Sequence, residues 1–178
     1  MKIIDFFRKR KDNDGMNVSD KNQSKQYNVL IPDEKFYVGK AYIDDKIHIC
    51  TLNVGIMDLN HKDVFGWYLS LIIRFDKTVG HDMPTSEESV KMQDFCDKLS
   101  SNLAIDKSHP NALLLGRITG NGQTHIMWYV HNPEIANDYL QNVISSGDYP
   151  FQFDYEMTFD SEWNEAHYWL SPIDKEQF

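Results

Sequence analysis

Histidine and cysteine are the residue types in this chain that could support metal or nucleophilic chemistry. His48 and Cys50 lie two positions apart in an apolar segment that predicts a strand, so their side chains share a face and could supply two metal ligands. A zinc site takes three or four ligands, and the sequence offers no second pair at ligand spacing. The seven histidines are scattered and form no recognisable set with a nucleophile and an acid. We therefore predict no metal site, no cofactor and no catalytic residue.

Two other motifs could carry chemistry but have simpler interpretations. Gly120-Asn121-Gly122 has the glycines of a phosphate-binding loop but lacks the lysine and the following helix, so it predicts a turn. Asp160, Glu162 and Glu165 surround Trp163 and could act as paired carboxylates or bind calcium. Their spacing does not fit a calcium loop, and we interpret them as a solvated connection.

Two arginines, Arg74 and Arg117, interrupt otherwise apolar strands. Each could be a buried, paired cation or an anchor for a partner, and we favour pairing with a C-terminal acid. Aromatic and arginine side chains carry much of the binding energy in many protein interfaces. The candidate binding residues are Tyr68, Arg74, Arg117, Trp128, Tyr155 and Trp163.

Charge is distributed unevenly along the chain. The formal net charge is -9, and the segment from Asn132 to Phe178 contains ten acids and a single base, Lys175. Phosphate binding needs clustered lysine and arginine, so this distribution argues against nucleic acid as a direct partner. An acidic surface suits a basic protein partner, and it equally suits a domain that is merely soluble.

The first 27 residues predict two segments outside the folded domain. Residues 1–10 predict a short amphipathic segment, for which contact with a membrane surface is less favoured than a frayed terminal helix. Residues 11–27 are polar and predict a flexible linker, and residues 28–178 predict one α+β domain. The first apolar stretch is too short for a signal peptide, and no run is long enough to span a membrane. We therefore expect a cytoplasmic protein.

The predicted elements of the domain follow from apolar periodicity and from turn and cap residues. A hairpin covers residues 36–54, and the cleanest strand runs over residues 67–75. Thr85 and Glu88 fit a capping box at the start of a helix. The remaining predicted elements are a polar connection at 58–66, strands at 112–119 and 124–130 joined by an Asn121-Gly122 turn, a helix that starts at Asn132-Pro133, a strand at 149–159 and a last short strand at 167–170.

The last six main elements follow the order strand, helix, strand, strand, helix, strand. This order matches a ferredoxin-like, or split βαβ, antiparallel sheet with two helices on one face, which is an α+β fold. The N-terminal β-hairpin would extend that sheet. The other sheet face would then be open, and we predict it as the interaction surface.

Several short motifs follow one another in a distinctive order. They are Leu52-Asn53-Val54-Gly55, Trp67-Tyr68-Leu69-Ser70, Pro84-Thr85-Ser86-Glu87-Glu88, Leu115-Gly116-Arg117-Ile118-Thr119, Trp128-Tyr129-Val130-His131-Asn132-Pro133, Tyr149-Pro150-Phe151 and Asp160-Ser161-Glu162-Trp163. The series resembles an uncharacterised bacterial family, domain of unknown function 695, over roughly residues 35–170. The resemblance implies the fold but no activity or catalytic residues. The layout is also similar, more weakly, to the ferredoxin-like protein inhibitors of ribonuclease E.

The leading hypothesis is a non-enzymatic cytosolic domain that binds another protein through its open sheet face and its acidic C-terminal region. Its sharper form is the regulation or inhibition of a basic partner, such as a nuclease or a toxin. A small-molecule sensor is one alternative, and it predicts a closed apolar pocket between the sheet and the N-terminal hairpin. A hydrolase or metal-dependent enzyme is the other alternative, and it predicts that several side chains converge in one pocket. Those side chains are His48, Cys50, His125, His131 and His167.

Overall fold

The computed structural model describes residues 28–106 and 108–171 of the chain. The amphipathic segment and linker predicted for residues 1–27 lie outside the described residues. The described part is a mixed α+β fold with a six-stranded antiparallel sheet, a two-stranded ribbon and three α-helices. The strands are β1 (Phe36–Ile43), β2 (Lys46–Asn53), β3 (Trp67–Arg74), β4 (Thr78–Val79), β5 (Met83–Pro84), β6 (Ala112–Gly120), β7 (Gln123–Val130) and β8 (Phe153–Phe159). The helices are α1 (Ser86–Ala104), α2 (Pro133–Ser146) and α3 (Asn164–Leu170).

The main sheet has the strand order β1-β2-β6-β7-β3-β8, and every neighbouring pair is antiparallel. Helices α1 and α2 pack on one face of it, which is termed the helix face. Phe95 and Leu99 of α1 and Leu140 of α2 are buried there against Leu69 and Trp128 of the sheet. A three-to-four spacing in the sequence predicts one apolar stripe on α1, made of Met92, Phe95, Cys96, Leu99 and Leu103, and this stripe is confirmed because all five are buried.

The predicted helix starts are confirmed by their caps. Thr85 Oγ1 accepts a hydrogen bond from the Glu88 N–H at 3.2 Å. The second bond of a capping box is replaced, since the Glu88 carboxylate accepts from the Asp76 N–H and so ties the helix to the end of β3. At α2, Asn132 Oδ1 accepts from the N–H groups of the first turn, and Pro133 stands at the first helical position.

The predicted turn between β6 and β7 is also confirmed. Asn121 and Gly122 have φ values of 51° and 75°, and the strands pair up to Gly120 and Gln123 on either side. Two successive positive φ values are the requirement of the tight hairpin turn that an Asn-Gly pair favours.

Two C-terminal predictions need correction. The strand predicted from residue 149 begins at Phe153, and the last short strand predicted at residues 167–170 is wrong, because that segment belongs to helix α3. A buried carboxylate caps the start of this helix, because Asp160 accepts from the N–H groups of Asn164 at 2.9 Å and Glu165 at 3.0 Å and is itself bound by the Tyr129 hydroxyl from strand β7. Those are donors that the first turn of a helix otherwise leaves unpaired.

The prediction of an open second sheet face is wrong as well. The covering segment (residues 54–65), which the sequence predicts in part as a polar connection, folds into two 3₁₀ helices, Val54–Asp58 and Lys62–Phe65. Its Leu59 and Phe65 are buried against this face together with Trp163 and Ala166. Burial of these apolar side chains removes their surface from water and stabilises the covered arrangement.

A β-bulge in β6 changes which face its later residues occupy. The register with β7 shifts between Leu114 and Gly116, so one extra residue is inserted into β6. Leu115 is buried on the covered face, and Arg117 then pairs with Ile126 and with Thr51, whose side chains lie on the helix face. Without the extra residue, strict alternation would turn Arg117 toward the covered face.

Candidate functional site

A groove opens on the helix face between α1 and the part of the sheet that the helices leave uncovered. Its cavity volume is about 640 Å³, which lies in the range of small-molecule sites. Phe36, Leu114 and Trp128 are among the apolar side chains that line it, and Arg117 lines it as well. The α1 side of the groove carries Gln93, Cys96, Asp97 and Ser100.

Arg117 is half-buried in the groove beside the Cys96 thiol. The described part of the chain contains four ion pairs, and the arginine among them is Arg74, whose guanidinium contacts Asp154 at 2.7 Å. The predicted pairing with a C-terminal acid is therefore confirmed for Arg74, but its side chain is exposed and not buried. For Arg117 it is wrong within the described residues, where no carboxylate oxygen lies within 4.0 Å of its guanidinium.

The Cys96 thiol beside Arg117 is not activated. Burial raises the pKa of Cys96 to about 12, although the neighbouring guanidinium acts in the opposite direction. The thiol also lies 3.4 Å from the Met92 Sδ within the core. The groove therefore offers a cation and hydrogen-bonding groups for non-covalent binding, and it does not offer a thiolate nucleophile.

A second polar cluster lies on the covered face, where Ser70 Oγ and His125 Nε2 are 2.7 Å apart. This distance suits a serine nucleophile and a general base. Burial lowers the pKa of His125 to about 4, so the ring is a weak base, and its hydrogen bonds to described residues include none with a carboxylate. Ser70 is only 6% exposed, and Trp169 packs edge-on to the imidazole. Ser70 and His125 are therefore hydrogen-bonded to each other as part of the core.

The same histidine predicts a pH-dependent stability. In the folded chain the pKa of His125 is lowered from 6.5 to about 4, so between these values the unfolded state binds more protons and stability falls as the pH falls. We expect wild type to lose about 2 to 3 kcal/mol more than His125→Gln between pH 7 and pH 4, measured by urea unfolding. The exposed His167→Gln variant should follow the wild-type profile. If the free energy of unfolding depends on pH in the same way in wild type and in His125→Gln, the lowered pKa of His125 is contradicted.

The structure distributes the six predicted binding residues over several environments. Tyr68, Trp128 and Trp163 are core side chains. Trp163 is fully buried, stacks on Tyr129 with ring centroids 4.0 Å apart, and donates from Nε1 to the carbonyl oxygens of Lys62 and Phe65. The three remaining candidates, Arg74, Arg117 and Tyr155, reach the surface at least in part.

Tyr155 joins strand β8 to helix α2. Its hydroxyl donates to Asn137 Oδ1 at 2.9 Å and accepts from Gln141 Nε2 at 2.5 Å. Both partners lie on α2, so this aromatic side chain holds an edge strand against the helix that precedes it. Its observed contacts are thus structural.

Three of the five residues predicted to converge in an enzyme have different hydrogen-bond partners. His48 Nδ1 bonds to the Lys46 carbonyl, and His131 Nδ1 bonds to the Val64 carbonyl. His125 pairs with Ser70, as described above. Within residues 28–106 and 108–171, no group of three or more His, Cys, Asp or Glu side chains could hold a metal ion.

The motif around Trp163 is only partly a solvated connection. Glu162 and Glu165 are exposed, but the prediction is wrong for Asp160, which is buried. Burial by itself raises the pKa of Asp160, but hydrogen bonds from the Glu165 N–H, the Tyr129 hydroxyl and Asn164 outweigh it and lower the pKa. Asp160 is thus an ionised structural residue.

Exposed carboxylates lie along β8 and at the start of α3. Strand β8 is the outermost strand at its end of the described sheet and pairs with β3 alone. Burial raises the pKa of Tyr68, and the charges of Glu165 and Glu156 add to that effect. The four exposed carboxylates Asp154, Glu156, Glu162 and Glu165 are termed the acidic edge.

Sequence comparison assigns this arrangement to a family. The model of a family of unknown function, DUF695, matches residues 35–170, which include the eight strands and three helices of the described part of the chain. The chain belongs to this family. No curated protein and no solved structure matches it. None of the described helices has the length and apolar character needed to cross a bilayer.

The groove residues on α1 were missed by sequence reasoning. In the sequence, the polar residues Gln93, Asp97 and Ser100 are spaced by three to four positions. Any solvent-facing side of an amphipathic helix has this spacing, so it does not indicate a groove. The sequence feature that indicates the groove is on β6, where Gly116 directly precedes Arg117 in an otherwise apolar strand. A glycine in a strand interior often marks a bulge.

Proposed function

We propose that this chain is a non-enzymatic protein-binding module that acts in the cytoplasm and regulates or inhibits a basic partner. The observation that carries the proposal is the acidic edge. Its carboxylates are exposed on the outermost strand β8, on α3 and, for Glu162, in the turn between them, where a partner surface can reach them. Complementary charge accelerates encounter and selects the partner.

Exposed aromatic side chains close to the acidic edge support the same proposal. Phe159 at the end of β8 is 61% exposed, and Tyr168 on α3 is 67% exposed. Aromatic anchors within a polar, charged rim are a common composition of protein interfaces. An outermost strand also presents unpaired backbone groups with which another chain can pair.

We further infer a ferredoxin-like arrangement for residues 67–159. The strand order β6-β7-β3-β8 and the two connections through α1 and α2 support it. The inhibitory form of the proposal draws in addition on the resemblance in layout to protein inhibitors of ribonuclease E. That resemblance concerns architecture, and the proposed activity rests on the acidic edge.

The test has two stages. The tagged full-length chain is first used to capture proteins from lysate of its own host at low and at high salt. We expect a basic protein that is retained at low salt and lost at high salt, because exposed ion pairs are screened. Recovery of no basic protein at low salt would contradict the proposed partner class.

The second stage changes the charge of the acidic edge without touching Asp160. The triple variant Glu156→Gln, Glu162→Gln and Glu165→Gln should weaken binding of that partner about tenfold, since each exposed pair contributes below about 1 kcal/mol. Its affinity should also depend less on salt. The matched control is Asp33→Asn, Asp44→Asn and Asp45→Asn, which removes three charges near the opposite edge strand β1. Equal binding by both triple variants would refute a role for the acidic edge.

A further inference from the structure

We propose that the groove between α1 and the sheet binds a small organic monocarboxylate, with its carboxylate on Arg117 and its apolar body against the sheet. The site is separate from the acidic edge, and the inference is independent of the proposed partner. It is carried by the position of one cation, by the apolar surface next to it and by the negative charges at the rim.

Arg117 is directed into the groove by the backbone. The bulge at Leu115 and Gly116 places its side chain on the helix face, opposite Thr51 on one side and Ile126 on the other. The Arg117 guanidinium is half-buried and has no acidic partner in the described residues. The cost of removing its charge from water is therefore only partly offset. A carboxylate can accept two parallel hydrogen bonds from it, which is the geometry that an arginine favours.

Part of the groove lining next to Arg117 is apolar. Phe36, Leu114 and Trp128 line the groove, and Trp128 is held in place because its Nε1 donates to Ser100 Oγ at 3.2 Å. Phe36 is 42% exposed at the open end, where strand β1 has no helix above it. A ligand with a hydrocarbon or aromatic body would cover exposed surface of Phe36 and Leu114, whereas Trp128, which is only 1% exposed, would add little.

The two carboxylates that line the groove disfavour a second negative charge on the ligand. Glu34 and Asp97 both line the groove, and Asp97 accepts from Gln93 Nε2 at 2.7 Å, which fixes its position. A second negative charge on the ligand, as in a phosphate monoester, would be repelled by these two carboxylates. The thiol of Cys96 is protonated, so the binding is non-covalent.

The experiment compares acids with neutral amides of the same shape on the full-length chain. Octanoate and 4-phenylbutyrate are titrated against octanamide and 4-phenylbutanamide, and the NMR methyl signals of Ala112, Leu114 and Ile126 report on the groove. We expect saturable shifts at these methyl groups and at least about tenfold weaker binding of the amides. Equal binding of acid and amide, or no saturable shift with either acid up to about 5 mM, would overturn the proposal.

A pair of arginine variants assigns the effect to one side chain. Arg117→Gln should weaken binding of the preferred acid about tenfold or more and remove its advantage over the amide. Arg74→Gln removes an exposed arginine that already pairs with Asp154, and it should bind as wild type does. Loss of binding in both variants, or in neither, would overturn the assignment. The comparison of acid with amide on wild type does not depend on how well either variant folds.

Discussion

Replacing Gly116 with alanine is expected to lower the free energy of unfolding by about 3 to 4 kcal/mol. A Cβ at this position would lie 2.4 Å from the Thr51 carbonyl oxygen and 2.8 Å from the Leu52 Cα. Both are backbone atoms of the neighbouring strand, so relief requires β2 and β6 to separate. The φ of 150° adds conformational strain for any residue with a side chain. Urea unfolding followed by tryptophan fluorescence measures the change.

Two other glycines provide graded controls for this variant. Nothing lies within 4 Å of a Cβ at Gly80 or Gly122, but Gly122 has a φ of 75°. Gly80→Ala should therefore be nearly neutral, and Gly122→Ala should cost about 1 kcal/mol from backbone strain alone. If Gly116→Ala costs no more than Gly122→Ala, the close approach of β2 to the bulge is not a constraint on this fold.

Replacing Asp160 with alanine is expected to destabilise the chain by about 3 to 4 kcal/mol. The buried carboxylate accepts hydrogen bonds from the Tyr129 hydroxyl at 2.7 Å and from the N–H groups of Asn164 and Glu165. Without this carboxylate, the Tyr129 hydroxyl would lose its hydrogen-bond acceptor in the core, and the N–H groups in the first turn of α3 would lose theirs. Because α3 covers one sheet face with Ala166, the effect should reach beyond the helix.

Charge and shape can be separated at this position. Asp160→Asn retains one acceptor oxygen and should cost about 2 kcal/mol at pH 7, whereas Asp154→Ala breaks an exposed ion pair and should cost below about 1 kcal/mol.

The lowered pKa of Asp160 contributes stability that is present above its unfolded value of 3.8. That contribution is lost as the pH falls through the folded pKa, so wild type and Asp160→Asn should converge in acid. If the difference in free energy of unfolding between wild type and Asp160→Asn stays constant as the pH falls through the folded pKa of Asp160, the assignment of an ionised carboxylate is contradicted.

Sequence reasoning was accurate where a feature is satisfied by residues near each other in the chain. The Asn121-Gly122 turn, the Asn132 cap and the apolar stripe of α1 each involve fewer than about twenty residues. Their backbone and burial requirements are met by local geometry. The sequence motifs also led to the correct family, whose model matches residues 35–170.

The candidate sites were less accessible to such reasoning. An aromatic residue in a strand looks the same in sequence whether it anchors a partner or fills the core, and Tyr68, Trp128 and Trp163 fill the core. Arg74 and Arg117 were equivalent in sequence, yet one pairs with Asp154 on the surface and the other lies in a groove. The difference depends on which strands and helices surround each arginine.

The sequence by itself thus determined the α+β class, most element boundaries, the turn and cap residues, and the concentration of acids in the C-terminal quarter. The tertiary structure alone decided that residues 54–65 and helix α3 cover the second sheet face, that the bulge turns Arg117 into a groove, and that Asp160 is buried. These outcomes depend on contacts between segments far apart in the chain. Burial of apolar surface and pairing of polar groups across such distances have no periodic signature in a single sequence.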